Sequence, residues 1–432
     1  MAETPPPPPT NVPAPGPGIS PPGIGHERPL RITILAHGLR TGGGMVVGQN
    51  LLAALARIAP EHDYFVLAPA ERGYENICAD MPHKTLVLYP SLAGQKNLYR
   101  RLWYDTLHLP KMIQQYRPDV ILGLGNVGLN NPPVPQAIYL HNAYLVYPPC
   151  ERGKESWKFR LLTAMQAYHF RKQLARTDLL FCQTTALAQR VQRQLNYRGR
   201  IALSPVVLSS ELVSRDSQPA CPPALAAVAK QFKLFYLAPW SPHKNIDILV
   251  DMFVAHRQAL RNCVLILTIP ARQCSHSEAM LRRIEREGLG EQVINVGALR
   301  PEELAAYYLH SDALLMPTLL ETVGIPYIEA MYYGLPILTS DLDFARAVCA
   351  EAAVYFNPRN PHDICQAILR LRNDAALQAE CRAKVRTRYD QFPPDWDHVA
   401  ADLLHNLCGI VPHRSSQDGD GGKPISGRAM PH

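Results

Sequence analysis

Two glutamates eight positions apart, Glu321 and Glu329, frame the string Glu-Thr-Val-Gly-Ile-Pro-Tyr-Ile-Glu. Carboxylates at this spacing can accept hydrogen bonds from several hydroxyls. Between them, Gly324 and Pro326 mark a loop turning into a helix, because proline is favoured in a first helical turn. A helix start offers N–H groups and a positive dipole to an anion, and Thr322, Val323 and Gly324 lie in that loop. Acceptors for hydroxyls beside donors for phosphate suit a sugar nucleotide.

Three further groups point the same way. In Pro239-Trp-Ser-Pro-His-Lys-Asn245, Lys244 is a point cation beside Asn245 at the opening of a helix, where it suits phosphate. In Gly38-Leu-Arg-Thr-Gly-Gly-Gly44, glycines between a strand and a helix let backbone approach a ligand closely, although no G-x-G-x-x-G is present. His141 follows the apolar run Gln136-Ala-Ile-Tyr-Leu140; as an uncharged imidazole it can donate or accept a hydrogen bond. Taken singly, each also has a plain reading: solvated surface for the charges, a tight turn for the glycines, a structural residue for the histidine.

The elements that must position these groups are strands alternating with helices. Asp312–Pro317 and Leu335–Leu338 read as buried parallel strands, which puts Glu321 on a loop at the carboxyl end of the first, where open α/β sheets bind ligands. Arg31–His37 reads as a strand, followed by a helix from Met45 to Ile58 with Val47, Leu51, Ala54, Leu55 and Ile58 at helical spacing. Strand-like runs recur at 64–68, 120–122 and 136–140. After the Pro-rich link 218–223 a second series begins at Leu234–Ala238, continues through a helix 246–256, and has further strands at 263–269 and 292–297. Helices at 301–308, 361–371, 375–389 and 396–407 complete it, with a strand at 352–356. The fold class is α/β.

The strings from Lys244 and Glu321 to Glu329 closely resemble those of the family 4 (group 1) retaining glycosyltransferases, whose E-x7-E signature sits in the same strand–loop–helix–strand setting. The resemblance covers about residues 30–408 and is strongest from 234 to 372. It implies the GT-B fold, two Rossmann-like domains facing each other across a cleft. By resemblance, residues 30–215 form the acceptor-side domain and 216–385 the donor-nucleotide domain, with a terminal helix within 386–410 crossing back. The same likeness implies that Glu321 contacts the sugar hydroxyls, that Glu329 binds the ribose, and that Lys244 contacts the diphosphate. It places Gly42 and Gly43 against the diphosphate and acceptor, Gly297 near the base, and His141 at the reacting centre. Asn245, Thr322, Val323 and Gly324 complete the donor-site set. Most relatives have an arginine five or six residues before the lysine; here those positions are Pro239 and Ala238.

The resemblance implies no cofactor and no metal, with a UDP- or GDP-linked sugar as substrate and a saccharide or lipid-linked acceptor. A hexose such as mannose is expected to pass to the acceptor with retention. A sugar-nucleotide epimerase or phosphorylase is disfavoured by the same strings. A non-catalytic GT-B binding or scaffold protein is the alternative, because the paired arginine is missing and a Pro-rich tail is present.

Composition bounds the rest. The 432 residues allow two domains, and 47% hydrophobic with 19% charged residues is the balance of a globular protein. Much of the 40-proline content falls in residues 1–29, a low-complexity tail that cannot bury a core, and 411–432 reads as a second disordered tail. No apolar run is long enough to span a membrane. Ten cysteines without C-x-x-C pairs argue against a zinc site and fit free thiols in a cytoplasmic setting. The net charge of +7 is concentrated between Arg152 and Arg200, where Trp157, Leu161, Met165 and Tyr168 recur at helical spacing. That segment reads either as a surface helix burying one face or as a contact with anionic membrane or an anionic acceptor. No nucleic-acid reading motif accompanies it.

Overall fold

A computed structural model describes residues 28–40, 42–79, 81–89, 108–208 and 216–412. Of the expected tails 1–29 and 411–432, all but residues 28, 29, 411 and 412 fall outside the described residues; within the four, Arg28 pairs with Asp119 at 2.7 Å and Val411 is buried.

Two parallel sheets organise the chain. The first has strands β1 (Arg31–Leu35), β2 (Asp63–Pro69), β3 (Lys84–Tyr89), β4 (Val120–Gly123), β5 (Gln136–Leu140), β6 (Leu179–Cys182) and β7 (Arg200–Leu203) in the order β3-β2-β1-β4-β5-β6-β7. The second has β8 (Phe232–Tyr236), β9 (Cys263–Leu267), β10 (Val293–Asn295), β11 (Ala313–Met316), β12 (Ile337–Ser340) and β13 (Ala353–Phe356) in the order β10-β9-β8-β11-β12-β13. The central strands β1, β4, β5, β8, β9, β11 and β12 are apolar and almost wholly buried, as strands covered by helices on both faces must be. In each sheet the winding reverses once, between β1 and β4 and between β8 and β11. Such reversal points leave a crevice at the carboxyl ends of the strands. The fold is GT-B.

The sequence expected helix 45–58 to start after the glycines; it begins earlier, at Gly42, so Gly42, Gly43 and Gly44 form its first turn. Strands β3, β6 and β7 were not anticipated. β3 is only partly buried, and β7 is an edge strand of four residues.

Of the last two helices, Ala375–Tyr389 packs against helices Ile325–Tyr333 and Pro361–Asn373 of the second half. Only Trp396–Cys408 lies along Gly42–Ile58 of the first. Its Leu403, Leu404 and Leu407 are buried, and Arg57 pairs with Asp397 at 2.6 Å. The expected division at 385 therefore cuts through a helix that stays with the second sheet.

The amphipathic reading of 157–168 is corrected in one respect. Helix Trp157–Leu174 buries Thr163, Phe170 and Leu174, and turns the apolar stripe outward: Trp157, Leu161, Met165 and Tyr168 are 70, 56, 41 and 57% exposed. Among the described residues, no helix is long and apolar enough to cross a membrane. All ten cysteines are free thiols.

Candidate functional site

The reversal between β8 and β11 brings together the groups that the sequence set 77 residues apart. After β8 the chain makes a short 3-10 turn, Pro242–Lys244, closed by the Lys244 N–H donating to the Ser241 carbonyl at 2.9 Å. Asn245 follows in the left-handed conformation (φ 55°), and its Nδ2 donates to the carbonyls of Pro317 (3.0 Å) and Pro358 (2.7 Å). Its amide is thus a brace tying the turn to the loop after β11, and this fixes the base of the Lys244 side chain. Lys244 Nζ forms an ion pair with Glu321 Oε1, the two side chains being 15 and 13% exposed. A cation and a carboxylate so little hydrated offset the cost of each other's burial.

Beyond Glu321, the loop rises to Gly324 at φ 78°, where a Cβ would lie 2.7 Å from the Tyr327 ring; only glycine fits. No side chain caps helix Ile325–Tyr333, and in its first turn the Tyr327 N–H donates to the Gly324 carbonyl at 2.9 Å, which leaves the Ile325 N–H as the donor for a ligand. Pro326 sits in the first turn, where its missing N–H costs nothing. Val323 is buried, and the Thr322 carbonyl accepts from Thr184 Oγ1 of the first half at 3.2 Å.

Glu329 lies on the inner face of that helix, 7% exposed. Its Oε2 accepts the Tyr308 hydroxyl at 2.6 Å, leaving Oε1 as the free acceptor. Burial pushes its carboxyl above the usual range, and the Tyr308 hydrogen bond opposes the shift. Gly297 follows β10 at φ 80°, and a Cβ there would meet nothing within 4 Å. It lies toward the far edge of the sheet from Glu321.

The first half approaches the same crevice. A Cβ on Gly43 would sit 3.1 Å from Ile325 Cδ1, and one on Gly44 would sit 3.7 Å from His141 Cβ. The first turn of helix Gly42–Ile58 therefore meets the first turn of Ile325–Tyr333 across the cleft, with His141 alongside. Around Gly42 the space is open. The His141 ring stacks on Tyr139 with centroids 4.3 Å apart, and Gln183 Nε2 lies 3.3 Å from its Nδ1. With Gln183 donating, the proton of the neutral ring sits on Nε2. Burial lowers the His141 pKa to about 3, tempered by the Leu124 backbone, so the ring is neutral near pH 7.

Several groups that sequence reasoning missed hold the halves together. Tyr144 Oη is 2.7 Å from His243 Nδ1, and Ser241 Oγ is 2.8 Å from the same nitrogen. Burial, then Lys244, lowers the His243 pKa to about 3. Arg190 on helix Thr185–Leu195 makes a two-pronged pair with Asp343 and a 2.8 Å pair with Glu151, while its guanidinium lies 3.9 Å over the Tyr147 ring. Gly153, at φ 91°, packs so closely on Pro242 that a Cβ would lie 2.8 Å from its carbonyl oxygen. The string His-Asn-Ala-Tyr144 held the only sequence signal for Tyr144; Arg190 and Asp343, 153 residues apart, carried none.

Of the sequence-derived residues, Lys244, Glu321, Val323, Gly324, Gly43 and His141 thus border one crevice. Asn245 is spent on bracing, and Glu329 reaches the crevice only through one oxygen. Among the described residues, no three His, Cys, Asp or Glu side chains form a metal-ligating cluster.

Residues 218–388 match the family described as Glycosyl transferases group 1, to which the Glu321–Glu329 string pointed. The chain is 27% identical over 191 residues to the serotype-specific mannosyltransferase WbdA of Escherichia coli, covering 44% of this chain and 23% of that protein. It therefore spans about a quarter of that relative's length. Two solved structures share the fold. Sucrose-phosphate synthase from Thermosynechococcus elongatus has a TM-score of 0.65 at 17% identity, covering 89% of this chain and 99% of that one. HepE from Anabaena, in complex with UDP and glucose, has a TM-score of 0.60 at 15% identity, covering 88 and 100%.

Proposed function

We propose that this chain is a retaining glycosyltransferase that moves a hexose from a UDP- or GDP-linked donor to a hydroxyl of a saccharide or lipid-linked acceptor. The observation that carries the reading is the Lys244–Glu321 pair at the reversal of the second sheet, between two helix N-termini. The diphosphate takes Lys244 and the N–H groups at Ile325–Tyr333 and Gly42–Gly43; Glu321, released from the lysine, takes the sugar hydroxyls. The ribose takes Glu329 Oε1. The base lies toward Gly297.

In the reaction, the bond between the anomeric carbon and the phosphate oxygen breaks while the acceptor oxygen bonds to the same face of that carbon. The departing phosphate oxygen takes the acceptor proton, so no protein nucleophile is needed. Lys244 and the helix dipoles stabilise the developing charge on the diphosphate, which makes the reaction independent of a metal. His141, neutral and donating through Nε2, hydrogen-bonds the reacting sugars. Closing the crevice excludes water and so limits hydrolysis. The work is cytoplasmic, with peripheral contact to anionic membrane through the basic 152–200 segment and its outward apolar stripe.

A thermal-shift screen against UDP-, GDP- and ADP-sugars tests the reading, with GDP-mannose first because WbdA is named a mannosyltransferase. A rise in Tm with one donor, lost in Lys244→Ala, supports it. No shift with any of them sinks the enzyme reading and leaves a binding or scaffold role.

A further inference from the structure

Lys244 stands on a turn that is pinned from three sides. The His243 carbonyl accepts the Leu319 N–H at 2.8 Å, two residues before Glu321. The Asn245 amide holds the carbonyls of Pro317 and Pro358. Both of these anchors come from the second half of the chain. The third comes from the first half: Tyr144 Oη lies 2.7 Å from His243 Nδ1, so this bond crosses the cleft one residue from Lys244.

Local structure holds Tyr144 at this reach. It belongs to the 3-10 turn Ala143–Leu145, directly after His141 and Asn142, and its N–H donates to Asn142 Oδ1 at 3.0 Å. Asn126 Oδ1 in turn accepts the main-chain N–H groups of His141 and Asn142. The Tyr144 ring meets Phe159 and His243 edge-on, with centroids 5.2 and 5.3 Å apart, and the Arg152 guanidinium lies 5.5 Å from its centre. Burial, opposed by the Ser241 hydroxyl, pushes the Tyr144 pKa up to about 12, so its hydroxyl keeps its proton near pH 7. A chain of contacts therefore runs from His141 through Tyr144 and His243 to Lys244. His243 Nδ1 is also 2.8 Å from Ser241 Oγ, on its own side of the cleft. One ring nitrogen offers a single lone pair or a single N–H, so the two hydroxyls share one site. When Tyr144 withdraws, Ser241 is at hand to occupy it, and opening the cleft leaves no buried orphan on that nitrogen.

We propose that Tyr144 is a positioning residue for transfer, acting through His243 to set Lys244 in the closed cleft, with Ser241 taking its place on His243 in the open one. The inference rests on the glycosyltransferase reading and adds to it the link by which the His141 side registers the diphosphate grip. The Tyr144 hydroxyl is spent on His243 and touches neither donor nor acceptor. Donor binding to the open second half does not need this bond, whereas the closed, reacting state does. Its loss therefore falls on kcat rather than on donor affinity.

The test uses the full chain and Tyr144→Phe, which keeps the ring and its edge-on contacts but removes the hydroxyl. With the nucleotide sugar that raises Tm in the thermal-shift screen, kcat falls about tenfold, the upper end of what one neutral hydrogen bond contributes. The donor Kd, read by calorimetry, stays within about twofold. His243→Phe lowers kcat alike, and the double variant falls no further than either single one. A merely structural tyrosine would lower Tm and leave kcat unchanged. A second measurement needs no donor: amide hydrogen exchange read by mass spectrometry. In Tyr144→Phe, segment 241–245 of the other half exchanges faster by about tenfold. No donor shift in the wild type, together with faster exchange in the variant, sinks the glycosyltransferase reading and keeps the link between Tyr144 and the Lys244 turn. Unchanged kcat in Tyr144→Phe, additive losses in the double variant, or unchanged exchange at 241–245 overturns the proposal.

Discussion

Lys244 Nζ and Glu321 Oε1 are bonded to each other across the carboxyl ends of β8 and β11, so the two groups proposed to hold opposite ends of a donor neutralise one another when it is absent. A donor must separate them, and it replaces each partner: phosphate for the carboxylate, hydroxyls for the ammonium. Either truncation therefore leaves an ill-hydrated charge. Lys244→Ala and Glu321→Ala each lower kcat by roughly 10²–10³, the usual cost of losing one preorganised charge contact. Urea unfolding of the two single variants and the double variant gives a coupling of about 1–3 kcal/mol. Additive losses would show that the pair is incidental.

Tyr308→Phe removes the hydrogen bond that opposes the burial-driven rise of the Glu329 carboxyl. The variant costs about 1–3 kcal/mol of stability, as loss of one buried partner does. It also weakens UDP or GDP binding. Equal nucleotide affinity in wild type and variant, read by calorimetry, argues against Glu329 as the ribose acceptor.

His141 and His243 both have folded pKa values near 3, below the unfolded value of about 6.5. Below that unfolded value the unfolded chain takes up protons that the folded chain refuses, so stability is fully present above about pH 6.5 and is lost as pH falls toward 3. Each ring contributes a slope of up to about 1.4 kcal/mol per pH unit in that window. Calorimetric Tm therefore falls between pH 7 and pH 5, and His243→Asn makes the fall shallower. A Tm that does not change over this range would contradict the burial of both rings.

Arg190 joins helix Thr185–Leu195 to Asp343 at the start of helix Asp343–Cys349. Arg190→Ala frees Asp343 and Glu151 together. The halves then separate more readily, seen as an increased radius of gyration by small-angle X-ray scattering and a raised KM for the donor. An unchanged scattering curve would mean that Tyr144–His243 and the Gly153–Pro242 contact suffice to hold the cleft.

Chelation with EDTA leaves transfer activity unaltered if Lys244 and the helix N-termini carry the diphosphate charge. Loss of activity, restored by Mg²⁺ or Mn²⁺, would assign that charge to a metal.

What was readable in the sequence was what local order determines. Glu321, Gly324 and Pro326 announce a loop entering a helix because a glycine forced to φ 78° and a first-turn proline are chain-local needs. Lys244 and His141 were readable for the same reason, each standing just past an apolar run. The Asn245 brace was not, because its partners Pro317 and Pro358 are distant carbonyls that any residue type supplies. The Tyr308 grip on Glu329 and the Arg190 clasp were hidden likewise, since their partners meet only in three dimensions. The stripe Trp157–Tyr168 shows a different limit: periodicity reveals that a face is apolar but not whether the fold covers it.

The chain passes between the two halves twice, once after β7 and once between helices Ala375–Tyr389 and Trp396–Cys408, the latter lying flat on helix Gly42–Ile58. A single connection would let one half swivel in any direction about the other. Two connections tether the halves at two places, so the Gly43–Ile325 and Tyr144–His243 contacts are made between partners that stay close neighbours.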